Sequence, residues 1–187
     1  GEQQEGAIPQ KIFDKEWSED GRLLIILAPS NILSSIKLEN DSSERSNRLC
    51  FISERLSIQK KTPEALTSLK KAVELEQNNQ TALYLLGSIL NEQNSIECVQ
   101  YYEKCIKINN MFYLAYNGLG NYYLKSNQFD KAELCYSKAV EINSKRSAKI
   151  YKNRAYLREK LKKNSEAKND LKSYLKLFPK AKDRGII

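Results

Sequence analysis

The chain has 187 residues, 41% of them hydrophobic, with only seven glycines and four prolines, a composition that can bury a core and argues against disorder over most of its length. It contains no histidine, and Cys50, Cys98, Cys105 and Cys135 show neither a CxxC nor a secreted-framework spacing, which argues against a metal site and a disulfide scaffold and for an intracellular setting, cytoplasmic or nuclear. The net charge of +8 is uneven: residues 144–187 hold 15 Lys and Arg against 4 Asp and Glu, the remainder 16 against 19, so the positive field belongs to the C-terminal quarter and favours acidic partners.

Residues 1–45 form an irregular N-terminal segment. Gly1 to Gln10 is a polar terminus, followed by Phe13, Trp17, the apolar run Leu23 to Leu27, and the set Ile32, Leu33, Ile36 and Leu38. The last set predicts a short helix capped by Ser30 or Asn31. The run before it is too short for periodicity to separate a strand from a buried helical turn. The segment reads as ordinary core packing, with a cap over neighbouring helices or a docking element for another chain as the functional alternatives. No stretch approaches the roughly 18 apolar residues of a membrane span, so no membrane insertion is expected. A chain that opens on Gly1 is expected to be a piece of a longer protein.

From Ser46 the pattern becomes periodic at helical spacing, in paired stripes. Leu49, Ile52, Ser53 and Leu56 are answered by Ala65, Leu69 and Ala72, with Thr62 as the expected N-cap of the second helix and Pro63 in its first turn. Leu83, Leu86, Gly87 and Leu90 are answered by Cys98, Tyr102 and Cys105, after a turn one residue short. Tyr116, Leu119, Gly120 and Tyr123 are answered by Ala132, Tyr136 and Ala139. The last set is Tyr151, Arg154, Ala155 and Arg158, then Ala167, Leu171, Tyr174 and Pro179, the proline ending the helix. The small residues Ala65, Cys98, Ala132 and Ala167 recur every 33 to 35 positions. A glycine inside a helix costs roughly 1 kcal/mol against alanine, so Gly87 and Gly120 imply close helix contact. Cys98 and Cys105, two helical turns apart, are too distant to bridge and read as small core residues.

This aromatic, Leu-Gly, aromatic, small, aromatic, small spacing resembles the tetratricopeptide repeat, most closely between Tyr113 and Arg146. The resemblance implies an all-α, right-handed superhelical solenoid of helix-turn-helix repeats at about 46–79, 80–112, 113–147 and 148–181, with 181–187 as a tail. Each repeat would bury its apolar face against its neighbours. Arg154 and Arg158 stand where the family has Leu and an aromatic, so this helix is expected either to be covered by a partner or to let both arginines snorkel into water.

Little supports catalysis, since without histidine there is no conventional nucleophile and base pair, and no glycine-rich phosphate loop occurs. A non-enzymatic role without cofactor is therefore expected. In the family the first helices line a concave peptide-binding groove. Carried over by register, its lining is Tyr84, Ser88 and Asn91 in the second repeat, Asn117 and Asn121 in the third, and Lys149, Lys152, Asn153 and Tyr156 in the fourth, with Cys50 and Glu54 from the first. Asn117, Asn121 and Asn153 offer donors and acceptors to a peptide backbone, and Lys149 and Lys152 favour acidic groups. These residues equally suit an ordinary polar surface.

The expected function is a protein interaction adaptor or scaffold that takes a peptide or helix of a partner protein, an acidic one. One alternative is a co-chaperone gripping a chaperone tail. Asn121 and Asn153 resemble two asparagines of the carboxylate clamp found in chaperone-binding members, but Asn117 replaces its lysine and its third repeat would lie beyond Pro179. Moving the register back one repeat matches only Lys149. The other alternative is RNA or polyanion binding through Lys145, Arg146, Lys149, Lys152, Lys160, Lys162 and Lys163, with Tyr151 or Tyr156 stacking a base.

Overall fold

The computed structural model describes residues 42–143 and 148–179, and within them the only regular structure is eight α-helices. They are α1 (Ser42–Ile58), α2 (Thr62–Leu75), α3 (Gln80–Glu92), α4 (Glu97–Ile108), α5 (Tyr113–Lys125), α6 (Phe129–Ile142), α7 (Ala148–Lys160) and α8 (Asn164–Leu177). The expectations for Gly1 to Asn40, including the Ser30 or Asn31 cap, and for the tail from Lys180 onward lie outside the described residues. The helix expected to open at Ser46 already runs at Ser42.

Each hairpin turns by the same local device. Lys60, Asn94, Asn127 and Lys162 all adopt positive φ, between 56° and 61°. The next residue's N–H then reaches back to the carbonyl five positions earlier: Lys61 to Leu56 at 2.9 Å, Ser95 to Leu90 at 2.9 Å, Gln128 to Tyr123 at 2.8 Å and Lys163 to Arg158 at 2.8 Å. This left-handed closure satisfies carbonyls that a helix end would otherwise orphan. Thr62 is not an N-cap: that position is Lys61, without a side-chain cap bond, and Thr62 is already helical beside Pro63. The short second turn starts α4 tightly, with Cys98 N–H bonded to Ser95 O three residues back, where Ala65, Ala132 and Ala167 each reach four back.

The chain falls into two compact units, Gly1–Ala82 and Leu83–Ile187. In the first, α1 packs on α2 through Leu49, Ala65, Leu69 and Ala72, all fully buried. Asn79, 5% exposed, ties this unit together: its Oδ1 accepts the Ala82 N–H at 3.0 Å and caps α3, while its Nδ2 donates to Ser46 Oγ at 2.8 Å. Ser46 passes the chain on to Ala72 O at 2.7 Å. Asn79→Ala is expected to cost about 1 kcal/mol, read as a lower urea midpoint with an unchanged slope.

In the second unit α5 pairs with α6 and α7 with α8, while α4 meets α5 and α6 meets α7. Small residues on the second helices, Cys98, Cys105, Ala132 and Ala139, are fully buried, and Ala167 is 2% exposed. Two buried tyrosines fill the space they leave. The Tyr136 ring lies over Gly120, where a Cβ would stand 2.6 Å from Cε1; the Tyr102 ring lies between Gly87 and Gly118, where Cβ atoms would stand 2.8 and 2.4 Å away. The glycines therefore make room for aromatic rings rather than for bare helix contact. All four cysteines are thiols, and burial pushes Cys98 and Cys135 up to about 11 and Cys105 to about 12, leaving them unreactive packing residues.

Arg154 and Arg158 neither snorkel nor await a partner. Arg154 grips Asp170 on α8 with Nε and Nη2 at 2.9 and 2.7 Å and donates to Ser137 on α6 at 3.1 Å. Arg158 reaches the same Asp170 at 2.8 Å and Glu133 at 3.0 Å. The departure from the family pattern is an internal ion network that replaces apolar packing between α6, α7 and α8.

Candidate functional site

Because successive hairpins in the second unit stack in order, their first helices α3, α5 and α7 lie side by side. Asn91 on α3 donates to Gly118 O on α5 at 3.0 Å. Lys125, at the end of α5, returns a bond from Nζ to Asn91 O at 2.8 Å, placing a cation on the carbonyl end of α3 where the helix dipole favours it. Between α5 and α7, Asn153 Nδ2 donates to Asn121 Oδ1 at 3.0 Å and lies 3.4 Å from Asn117 Oδ1.

These helices border one cleft of about 430 Å³, in the Leu83–Ile187 unit. All nine residues carried over by register in this unit line it: Tyr84, Ser88 and Asn91, then Asn117 and Asn121, then Lys149, Lys152, Asn153 and Tyr156. Asn91 is only 6% exposed and already spent on Gly118, so it builds the wall rather than offering a ready contact. Its Oδ1 is buried without a hydrogen-bond donor among the described residues, while Asn91 partly offsets, through a side-chain hydrogen bond, the burial that raises the Tyr102 pKa. Tyr84 packs edge-on to Phe112, at 5.5 Å between ring centres, and burial raises its pKa, so it stays a neutral phenol. Lys152 lies over the Tyr174 ring at 5.7 Å, and Lys160 covers Tyr156 at 5.0 Å. Cys50 and Glu54 belong to α1 in the other unit. Cys50 is buried, its thiol pushed up to about 12 by burial first and by Glu54 and Glu76 next, so it offers nothing to a guest.

Five further residues line the cleft: Glu92, Tyr102, Gly118, Leu124 and Lys125. Lys125 falls one helical turn beyond Asn121, a spacing that sequence alone contains. Tyr102 comes from a second helix, which the groove register ignores, and enters because Gly118 has no side chain. The resulting chemistry is donor-rich. Lysines 125, 149 and 152 face a single carboxylate, Glu92. Asn121 Oδ1 is taken by Asn153 and by the Tyr136 hydroxyl at 2.8 Å, which leaves the amide nitrogen for a guest. Such a surface suits carbonyl and carboxylate oxygens.

Two family models described as Tetratricopeptide repeat match residues 80–110 and 113–146. Among curated proteins the chain is similar to Anaphase-promoting complex subunit 3 of Schizosaccharomyces pombe, 30% identical over 102 residues, which are 54% of this chain and 15% of that protein's length. Solved structures with this fold include MamA, 23% identical with a TM-score of 0.63 over 80% of this chain and 84% of that one. They also include PilF of Pseudomonas aeruginosa, 15% identical with a TM-score of 0.69 over 75% of this chain and 64% of that one. At these identities the likeness establishes the fold alone. Among the described residues no helix is long and apolar enough to cross a membrane.

Proposed function

From a chain that carries tetratricopeptide repeats, a scaffold for protein interaction, we propose a non-enzymatic intracellular adaptor that captures an acidic segment of a partner protein in the cleft between α3, α5 and α7. The observation that carries this reading is the donor excess of the cleft: three lysines and the outward amides of Asn117 and Asn121 against one glutamate. An extended segment suits it better than a helix. Helical backbone satisfies its own carbonyls, whereas an extended strand presents them, together with acidic side chains, to amide and ammonium donors. That the matched relative is by name a subunit of a complex agrees with a role in holding proteins together.

The polyanion reading is weaker because part of the basic charge is consumed internally. Arg154 and Arg158 are paired with Asp170 and Glu133, and Lys163 bonds Glu133 at 2.6 Å. The two readings separate in a titration followed by fluorescence anisotropy. At physiological salt a labelled acetyl-hexaglutamate should bind the wild type. Asn117→Ala with Asn121→Ala should then weaken it about tenfold or more, through lost bonds to charged acceptors, while circular dichroism stays helical. Unchanged affinity would move the site away from the cleft, and tighter binding of oligouridine than of hexaglutamate would favour the polyanion reading.

A further inference from the structure

A carboxamide can offer either its oxygen or its nitrogen, and on an open surface the guest decides which. At Asn121 that choice is already made. Its Oδ1 accepts from the Tyr136 hydroxyl at 2.8 Å and from Asn153 Nδ2 at 3.0 Å, which occupies both lone pairs. The NH₂ group is thereby turned away from these partners.

Of the two holders, Asn153 is a half-buried cleft residue that a guest can itself engage, whereas Tyr136 is fully buried on α6. Its ring sits so close over Gly120 that even a Cβ there would lie 2.6 Å from it, and Ala132 and Ala139 pack with it in the same buried cluster. A ring so confined delivers its hydroxyl to one place. Burial first and Cys135 next raise its pKa, so it remains a proton donor throughout the working pH range. One hairpin earlier, Tyr102 occupies the matching position, but Ser88 stands where Asn121 does and Gly118 where Asn153 does. At this position the core tyrosine therefore meets an amide in the hairpin of α5 and α6 and a serine in the one before it.

We propose that the Tyr136 hydroxyl is the positioning group that commits Asn121 to donating into the cleft, so that this part of the surface takes carboxylate and carbonyl oxygens of an acidic segment and rejects donors. The inference rests on the cleft being the binding surface. Tyr136 touches no guest; it acts through Asn121, and without it the amide is held from one side only and can turn its oxygen toward an incoming donor.

A double-mutant cycle on binding of labelled acetyl-hexaglutamate tests this. Tyr136→Phe, which keeps the ring, should weaken binding about fivefold, and Asn121→Ala by a similar factor. The double variant should be no weaker than the weaker single one, because the hydroxyl has no route to the guest except Asn121. Losses that multiply, or no loss in Tyr136→Phe, would overturn the positioning role. A second measurement needs no variant: in the nitrogen-15 spectrum of the wild type, the Asn121 side-chain NH₂ pair should move as hexaglutamate is added, and a stationary pair would overturn it. If hexaglutamate fails to bind the wild type, the acidic-segment reading of the cleft falls and this inference with it; if it binds and the losses multiply, only the role of Tyr136 is lost.

Discussion

Asp170→Ala should destabilise the Leu83–Ile187 unit by about 3–5 kcal/mol, because it strips two guanidinium groups of the carboxylate they share. The side chains of Arg154, Arg158 and Asp170 are 12%, 15% and 4% exposed, so neither arginine can rehydrate without pulling α7 away from its neighbours. Arg158 retains Glu133 and Glu166, whereas among the described residues Arg154 retains the neutral Ser137 hydroxyl and the Tyr151 ring, so most of the loss falls on Arg154. Urea unfolding would register a lowered midpoint. Replacing Arg154 and Asp170 together by leucine should recover part of the loss, since a packed apolar pair avoids the desolvation of both charges. An Asp170→Ala midpoint equal to the wild type would mean that the network holds nothing together.

The same network fixes the sign of the acid response. Burial raises the Glu133 pKa, and hydrogen bonds from Lys163 and Arg158 more than reverse this, so its folded value lies below the ordinary 4.5. A carboxylate depressed in the folded state contributes stability that is complete above its unfolded value and fades as pH falls below about 4.5 through the folded one. Acid below about pH 4.5, and not the neutral range, should therefore loosen the contact of α7 with α6, and Glu133→Gln should flatten that part of the stability profile.

The fold was legible because its grammar is steric and local. A side chain that must be small announces itself, and Ala65, Cys98, Ala132 and Ala167 all proved buried. The cleft positions were legible for the same reason: helical register fixes which side of α3, α5 and α7 a residue occupies, whatever its chemistry. What a side chain bonds to across helices has no such signature. Arg154 and Arg158 looked like surface residues on a weakened helix because Asp170, 12 or more positions away, carries no mark in sequence as their partner. The positive-φ turns were half visible: Asn94 and Asn127 are residues that tolerate this conformation, but Lys60 and Lys162 are held there by the backbone bonds at the helix ends. Asn79, the last residue of the first repeat, is not among the positions the pattern marks, and Lys125 lies beyond the end of the groove register.

Gly118→Ala should lower stability by about 2 kcal/mol, against the gain of roughly 1 kcal/mol that the same change brings in an unobstructed helix. The new methyl would stand 2.4 Å from Tyr102 Cζ and 2.6 Å from Cε1. A tip of a long side chain can usually swing aside, but this ring is 2% exposed and Gly87 on α3 also lies against it, where a Cβ would come within 2.8 Å of Cε1. The ring can yield only toward the cleft or by parting α3 from α5, and the second route strains the Asn91 bond to Gly118 O and the Lys125 bond to Asn91 O. The sign is therefore the test. Thermal or urea unfolding of Gly118→Ala distinguishes a clasped ring from a merely tolerant glycine, and Tyr102→Ala supplies the cycle: in that background the obstruction is gone and the alanine at 118 should stabilise. An alanine that stabilises the chain while Tyr102 is present would mean that Tyr102 is not seated between the two glycines, and the wall it lends the cleft would have to be assigned elsewhere.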